Sequence, residues 1–272
     1  MKYPTVLSIA GSDSGGGAGI QADIKTMSAI GVFATTAITA ITAQNTLGVT
    51  GIQGIDPEIV GKQIDAVFSD LKPVAVKIGM LFSKEIIQTV TDRLRFYAPQ
   101  HIVLDPVMIS TSGSKLISDD AIETLCRDLM PLASVVTPNR FEAQHIAGIS
   151  ILDHASTVEA ARRILKSGCR YVLIKGGHFS DTAMTDHLFA ADTLEEHCYN
   201  GRFIDTQNTH GTGCTLSSAI ASYLALGHPM TEAVGLAKQY LQSGLEAGAD
   251  VRTGEGHGPL NHFFNPQKLR KI

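Results

Sequence analysis

The chain carries 272 residues, 44% of them hydrophobic, and no low-complexity run, so it can bury a substantial core as one large α/β domain or two small ones. A formal net charge of −4, from 26 acidic and 22 scattered basic residues, excludes the dense cationic face that nucleic acid or a membrane surface demands and leaves a small molecule as the expected partner. Four widely spaced cysteines without a CxxC pair predict neither a zinc site nor a disulfide framework, the apolar run at residues 5–10 is too short for a signal sequence, and nothing approaches a membrane span; a reducing cytoplasm fits these features.

Short apolar runs alternate with amphipathic stretches almost from end to end, the pattern of βα units around a mainly parallel sheet. Strands are predicted over residues 5–10, 33–42, 74–78, 102–104, 135–137 and 171–175. Helical spacing falls between them at Ile20, Ile24, Met27 and Ile30, then at Ile59, Ile64, Val67 and Leu71, then at Ile86, Ile87, Val90 and Leu94. A further stripe, Ile122, Leu125 and Leu129, takes Cys126 into the core. Residues 185–190 and 196–204 read as an antiparallel edge hairpin, and helices over 213–226 and 231–247 close the chain. Without a linker, charge block or internal repeat, residues 1–272 are expected to form a single doubly wound domain. Ligands in such sheets gather beyond the carboxyl ends of the strands.

The first such junction is Gly11-Ser12-Asp13-Ser14-Gly15-Gly16-Gly17-Ala18-Gly19. Gly17-x-Gly19-x-x-Ala22 fits the outline of a dinucleotide fingerprint, yet no acid follows at the distance that would meet a ribose, and the Gly-Lys-Ser/Thr ending of a P-loop is missing. A tight turn or a close-fitting polar ligand remains. Gln44, after the next strand, is either a surface residue or an amide for a heterocycle. Asp105-Pro106 is a turn starter or brings a carboxylate to a metal or hydroxyl, and Glu142, following Thr137-Pro138-Asn139, is a helix cap or a ligand. Lys175-Gly176-Gly177-His178 lets a lysine or the backbone approach phosphate, while His178 and His210 read as loop-shaping or phosphate-adjacent residues rather than ligands. The most informative string is Asn208-Thr209-His210-Gly211-Thr212-Gly213-Cys214-Thr215. Its glycines free N–H groups at a helix start for an anion, and Cys214 in the first turn is either a small buried hydrophobe or a thiolate base favoured by the helix terminus. Asp105, Glu142, Lys175 and Cys214 on one rim suit phosphoryl transfer: acids for Mg²⁺, a lysine for the migrating charge, a base beside an anion hole.

These strings, together with Ile20-Gln21-Ala22-Asp23, Thr42-Ala43-Gln44-Asn45-Thr46, Lys77-Ile78-Gly79-Met80-Leu81 and Asp105-Pro106-Val107-Met108, closely resemble the bacterial hydroxymethylpyrimidine/phosphomethylpyrimidine kinases of thiamine biosynthesis, in the ribokinase-like superfamily. The resemblance implies a three-layer αβα sandwich, usually homodimeric, that uses ATP and Mg²⁺ to phosphorylate the hydroxymethyl group of 4-amino-5-hydroxymethyl-2-methylpyrimidine and then adds a second phosphate to the first. By resemblance, Asp23 and Gln44 hold the pyrimidine, with Gly11, Ala18, Met80 and Val107 lining its pocket. Glu142, in an Asn-x-x-Glu pattern with Asn139, organises Mg²⁺ with Asp105. Lys175 meets ATP phosphates, with Asn139, Thr209 and Gly211 on the nucleotide side. Thr212 and Gly213 form the anion hole, and Cys214 stands where most of the superfamily has Asp.

One departure is visible. Where the family usually has Lys-Ser-Gly-Asp, this chain has Thr111-Ser112-Gly113-Ser114-Lys115, so the phosphate-covering loop lacks its usual lysine and acid. The nearest alternative implied by resemblance is pyridoxal kinase, some of which share the Gly-Thr/Ala-Gly-Cys ending; Gln44 argues against it, since those relatives tend to carry an apolar residue there. The intact set of acids, lysine and anion-hole glycines argues against a non-catalytic nucleotide sensor.

Overall fold

The computed structural model describes residues 1–108, 117–176 and 184–271. Strand β1 (Thr5–Asp13) lies between parallel neighbours β2 (Phe33–Asn45) and β4 (Ala75–Ile78), and the parallel run continues through β5 (His101–Leu104), β6 (Val135–Val136) and β7 (Tyr171–Ile174). Antiparallel strands finish both edges: β3 (Gly48–Gly54) against β2, and β8 (Asp186–Ala190) with β9 (Glu196–Tyr199) against β7. The spatial order among the described residues is β3-β2-β1-β4-β5-β6-β7-β8-β9.

Because β1 is buried on both faces, its apolar run is continuous, and alternate side chains enter two cores: Leu7 and Ile9 one, Val6 the other. Helices α2 (Pro57–Asp70), α3 (Lys84–Tyr97), α4 (Asp119–Thr124), α5 (Arg140–Ala147) and α6 (His154–Leu165) cover the first face. Helices α1 (Gly19–Ile30), α7 (Thr212–Ala225) and α8 (Met230–Gly248) cover the second. The fold is therefore the expected three-layer αβα sandwich around a mainly parallel sheet. Among the described residues, no helix is long and apolar enough to cross a membrane.

Several local expectations shift. In α2 the buried stripe is Val60, Ile64 and Phe68, whereas Ile59 and Leu71 are exposed, as is Ile24 in α1. Moving a stripe by one residue turns the helix by about 100°, and the sheet selects the face with the larger side chains. Strand β2 continues to Asn45 because β3 pairs with it from Ala40↔Gly54 to Asn45↔Gly48. Strand β3 escaped detection because glycines at 48, 51 and 54 erase its apolar alternation. Strand β9 stops at Tyr199, short of residue 204. Helix α4 widens into a π turn over Leu125–Leu129, where Leu125 and Leu129 are buried and Cys126 packs half-buried at the margin of the core rather than inside it. Helices α5 and α6 each start with a capping box, Asn139 with Glu142 and Asp153 with Ser156; the spacing analysis missed α6.

The inner helix α7 is tied to the sheet by a polar knot. The Lys77 ammonium, from β4, contacts both carboxylate oxygens of Asp23, from α1, at 2.8 and 2.9 Å, and both side chains are fully buried. Ser8 Oγ from β1 donates to the same carboxylate at 2.5 Å and Ser218 Oγ from α7 at 2.6 Å, so four elements meet on one anion. Burial alone would lower the Lys77 ammonium; Asp23 and other nearby anionic groups hold it above its ordinary range. Asp23→Asn should lower the free energy of unfolding by about 3–5 kcal/mol, because it strands a buried ammonium without its countercharge. Urea denaturation followed by circular dichroism measures this, and a loss below about 1 kcal/mol would mean the pair behaves like an exposed one.

Candidate functional site

A single cleft of about 1000 Å³ runs along the carboxyl ends of the parallel strands. Gly11 and Ala18 line it from the β1 end, Gln44 from β2, Met80 from β4, Asp105 and Val107 from β5, Asn139 and Glu142 beyond β6, and Lys175 beyond β7. Thr209, Gly211, Thr212, Gly213 and Cys214 enter from the start of α7. Asp23 is the exception: it does not line the cleft. Its carboxylate is consumed beneath the floor by Lys77, Ser8 and Ser218, so the expectation that it holds a ligand directly is corrected to a supporting role. The loop at residues 111–115, Gly177 and His178 lie outside the described residues.

The glycine-rich loop after β1 wraps a carboxylate of its own. Asp13 Oδ1 accepts from Gly15 N–H at 2.8 Å, and Oδ2 accepts from Gly17 and Ala18 N–H at 3.1 and 2.8 Å. His210 Nε2 reaches the same Oδ2 at 2.9 Å, which staples this loop to the segment leading into α7. Burial opposes ionisation of Asp13, but these hydrogen bonds prevail and hold its carboxyl below the usual range. Two glycines are required by the close approach of the two segments. Gly211 sits at φ 81°, and a Cβ there would collide with the Gly17 carbonyl oxygen; Gly19, at φ 55°, would collide likewise with Gly11.

Gln44 stands on the rim of this end. Its amide nitrogen is 3.2 Å from His210 Nε2, the same ring nitrogen that reaches Asp13 Oδ2. Its carbonyl oxygen lies 3.2 Å from Thr42 Oγ1, whose hydroxyl also donates to the Ser12 carbonyl at 3.0 Å. Beside it, Ala40 and Met80 pack with Val107 into a small apolar patch, and Gly11 keeps the wall flat, since a Cβ there would meet Met80 Sδ at 3.3 Å.

Charge concentrates at the middle of the cleft. Lys175 Nζ contacts Asp105 Oδ1 at 2.9 Å, Thr137 Oγ1 donates to the same oxygen at 3.2 Å, and Ser217 Oγ lies 3.4 Å from Oδ2. Burial would lower the Lys175 ammonium, but Asp105 and Glu142 keep it above its ordinary value. A Cβ built on Gly213 would lie 3.4 Å from both Asp105 Oδ2 and Lys175 Nζ, so the first turn of α7 sits directly over this pair. Glu142 does cap α5: Asn139 N–H donates to its Oε2 at 2.8 Å, and its own N–H donates to Asn139 Oδ1 at 2.9 Å. It also faces the cleft, where burial and the neighbouring Asp105 push its carboxyl up to about 7 against the pull of Lys175. Two buried carboxylates side by side at the cleft, sharing one lysine, are a donor set that fits a hard cation such as Mg²⁺.

Cys214 occupies the floor. Burial pushes its thiol up to about 11; the Lys77 ammonium and a hydrogen bond from Gly19 N–H oppose this, while Asp23 and Asp105 add to it. Burial and the neighbouring acids thus oppose the thiolate that the helix terminus is expected to favour. Thr212, Gly213 and Cys214 bring the first turn of α7 to the cleft wall, with Thr212 N–H donating to the Thr209 carbonyl at 3.3 Å. Beyond Lys175 the walls turn apolar, with Phe203, Leu241 and Leu245 near an Asp186–Lys238 pair at 2.7 Å. These residues, with Lys77 and the Asp13–His210 contact, were missed as functional; only the two acids flanking the glycine loop gave a signal.

A sequence profile of the phosphomethylpyrimidine kinase family matches residues 13–261. A hydroxymethylpyrimidine/phosphomethylpyrimidine kinase of Rhizobium meliloti is 52% identical over 258 residues, covering 94% of this chain and 96% of the relative. A crystal structure of phosphomethylpyrimidine kinase from Clostridium difficile 630 matches with a TM-score of 0.79 at 47% identity, covering 88% of this chain and 98% of that one. A Bacillus subtilis pyridoxal kinase, solved as an ADP complex, matches with a TM-score of 0.88 at 32% identity, covering 96% and 98%. Backbone shape is thus common to both kinase types, and identity favours the pyrimidine kinases. The chain belongs to the phosphomethylpyrimidine kinase family.

Proposed function

We propose that this chain transfers the terminal phosphoryl group of ATP to the hydroxymethyl group of 4-amino-5-hydroxymethyl-2-methylpyrimidine, and then to the resulting monophosphate, in thiamine biosynthesis. One observation carries the reading: one cleft joins the Gln44 amide and its apolar patch to the Asp105–Lys175–Glu142 cluster beneath the start of α7. The pyrimidine packs on Met80 and Val107, while Gln44 donates to a ring nitrogen and accepts from the adjacent exocyclic amine. The nucleotide lies along the opposite arm, its base against Phe203, Leu241 and Leu245 and its phosphates near Lys175, Asn139, Thr209 and Gly211. Mg²⁺, when bound beside Glu142 and Asp105, neutralises phosphate charge. The first turn of α7, Thr212 to Cys214, receives the migrating phosphoryl oxygens, with the N–H groups of Gly213 and Cys214 as its preorganised donors. Exposed apolar Ile41 and Leu47 on the β2–β3 hairpin offer a surface for the homodimer, and four free cysteines suit a reducing cytoplasm.

Glu142→Gln should lower kcat far more than it weakens pyrimidine binding, because the carboxylate serves the metal and not the acceptor. Steady-state kinetics at saturating Mg²⁺ and ATP decides; unchanged turnover would leave Glu142 only its cap.

For Cys214 to take the hydroxyl proton it must first be a thiolate, and with the thiol near 11 that form grows as pH rises. Wild-type kcat should therefore climb from pH 7 into the alkaline range, whereas Cys214→Ser should be slower by roughly 10²–10⁴-fold and lack the climb. A flat wild-type profile, with the serine variant within a few fold, would assign the rate to the anion-hole N–H groups.

Gln44→Met should cost the pyrimidine roughly 1–3 kcal/mol, or about 5- to 150-fold in kcat/KM, by leaving its polar edge unpaired. Pyridoxal, lacking that edge, should lose little. A ratio of kcat/KM for the two substrates that does not move would return pyridoxal kinase to contention.

A further inference from the structure

Outside the cleft lining, at the β8–β9 edge of the sheet, four donors converge. His187 and Cys198 are cross-strand partners, so their side chains share a face, and Glu196, two residues before Cys198, joins them. His154, the first residue of α6, reaches over from the helical layer. His154 Nε2 lies 3.0 Å from both Glu196 oxygens and His187 Nδ1 lies 2.6 Å from Oε1. These three donor groups fall within 4.8 Å of one another, and Cys198 Sγ stands 3.4 Å from Glu196 Oε1 and 3.6 Å from His187 Nδ1. We propose that His154, His187, Glu196 and Cys198 form a tetrahedral site for a divalent cation of borderline softness, with Zn²⁺ its natural occupant.

The donor set is two imidazoles, one thiolate and one carboxylate, the ligand types zinc prefers. With bonds of about 2.0–2.3 Å, a tetrahedral zinc ion separates its ligands by roughly 3.3–3.8 Å, so the short contacts to Glu196 must open slightly and the exposed His154 ring must swing in toward Cys198. Without a cation, three donors crowd a single carboxylate oxygen. Burial and the Glu196 charge raise the Cys198 thiol, while hydrogen bonds from both histidines and Cys198 hold the Glu196 carboxyl low against its own burial. Zn²⁺ replaces that arrangement: two neutral imidazole nitrogens and the carboxylate bind it, and the Cys198 S–H bond breaks, releasing its proton to solvent as the Zn–S bond forms. Linear cysteine spacing concealed the site because its ligands come one from a helix start, one from β8 and two from β9, with a single cysteine. The site would clamp α6 to the hairpin whose other face carries Asp186 and its ion pair with Lys238.

The test uses the full chain, stripped with a chelator, kept reduced and supplied with excess Mg²⁺ to satisfy the cleft. Co²⁺ should add at one equivalent, with thiolate charge-transfer absorption in the near ultraviolet and intense visible bands of four-coordination. Cys198→Ala should abolish the charge-transfer band, and His187→Ala should weaken Zn²⁺ by more than about 100-fold, beyond what loss of an outer-shell partner costs. Kinase turnover of Cys198→Ala should stay at wild type, which shows that the variant is folded. The proposal is overturned if the wild-type chain takes up no equivalent of Co²⁺ or Zn²⁺, if His187→Ala leaves Zn²⁺ affinity unchanged, or if the band survives Cys198→Ala and vanishes with Cys214→Ala.

Discussion

The buried pair between Asp23 and Lys77 is the contact on which the cleft depends. A carboxylate and an ammonium taken fully out of water are tolerable only with good geometry and further hydrogen bonds, and Ser8 and Ser218 supply those. Each partner comes from a different element, so satisfying the charges fixes α1, β1, β4 and α7 relative to one another. Ser218 lies about one turn beyond Cys214, and the knot therefore sets the height at which the N-terminus of α7 emerges beneath the cleft. An apolar substitute could fill the same volume, but it would not specify one register of α7 against the sheet.

A second consequence is electrostatic. Lys77 lies just under the floor, and its charge reaches Cys214 from below while Asp105 reaches it from the side. Sulfur at this position is less costly than a carboxylate would be, since a third buried acid beside Asp23 and Asp105 would have to be neutralised. The thiol stays protonated until chemistry demands otherwise. The glycine loop follows the same economy of charge: its N–H groups, which sequence patterns offer to a phosphate, are already spent on Asp13, and the phosphate-facing donors come from α7 instead.

Much of this was legible in the chain. Strand ends at Asp105, Asn139 and Lys175 and the Gly211–Cys214 helix start were visible because each couples an apolar run to a residue type that turns or charges demand. What stayed hidden depended on distant partners. Asp23 is indistinguishable from a ligand-facing acid until Lys77 is placed beneath it, because Lys77 sits inside an apolar strand that gives no sign of its countercharge. Strand β3 was lost to its glycines, and the exposed Ile59 and Ile24 misplaced two helical stripes because exposure of single apolar residues is ordinary. Spacing reports what a residue is able to do, and only packing reports whether that capacity is already spent.

The same rule separates the two cation environments of the molecule. At the cleft, the available donors are carboxylates with a lysine close by, a setting that suits a strongly hydrated hard ion brought in with phosphate oxygens. At the hairpin edge, imidazoles and a thiol surround one carboxylate with no lysine or arginine bonded to it among the described residues, a setting that favours a softer ion held by protein ligands alone. Donor chemistry thus keeps the two apart without any need for distance to do so: Mg²⁺ gains little from nitrogen and sulfur, and zinc gains more from the edge than from a cleft whose carboxylate is already paired with Lys175. A cation carried in with phosphate oxygens and one held by protein ligands alone call for opposite ligand sets.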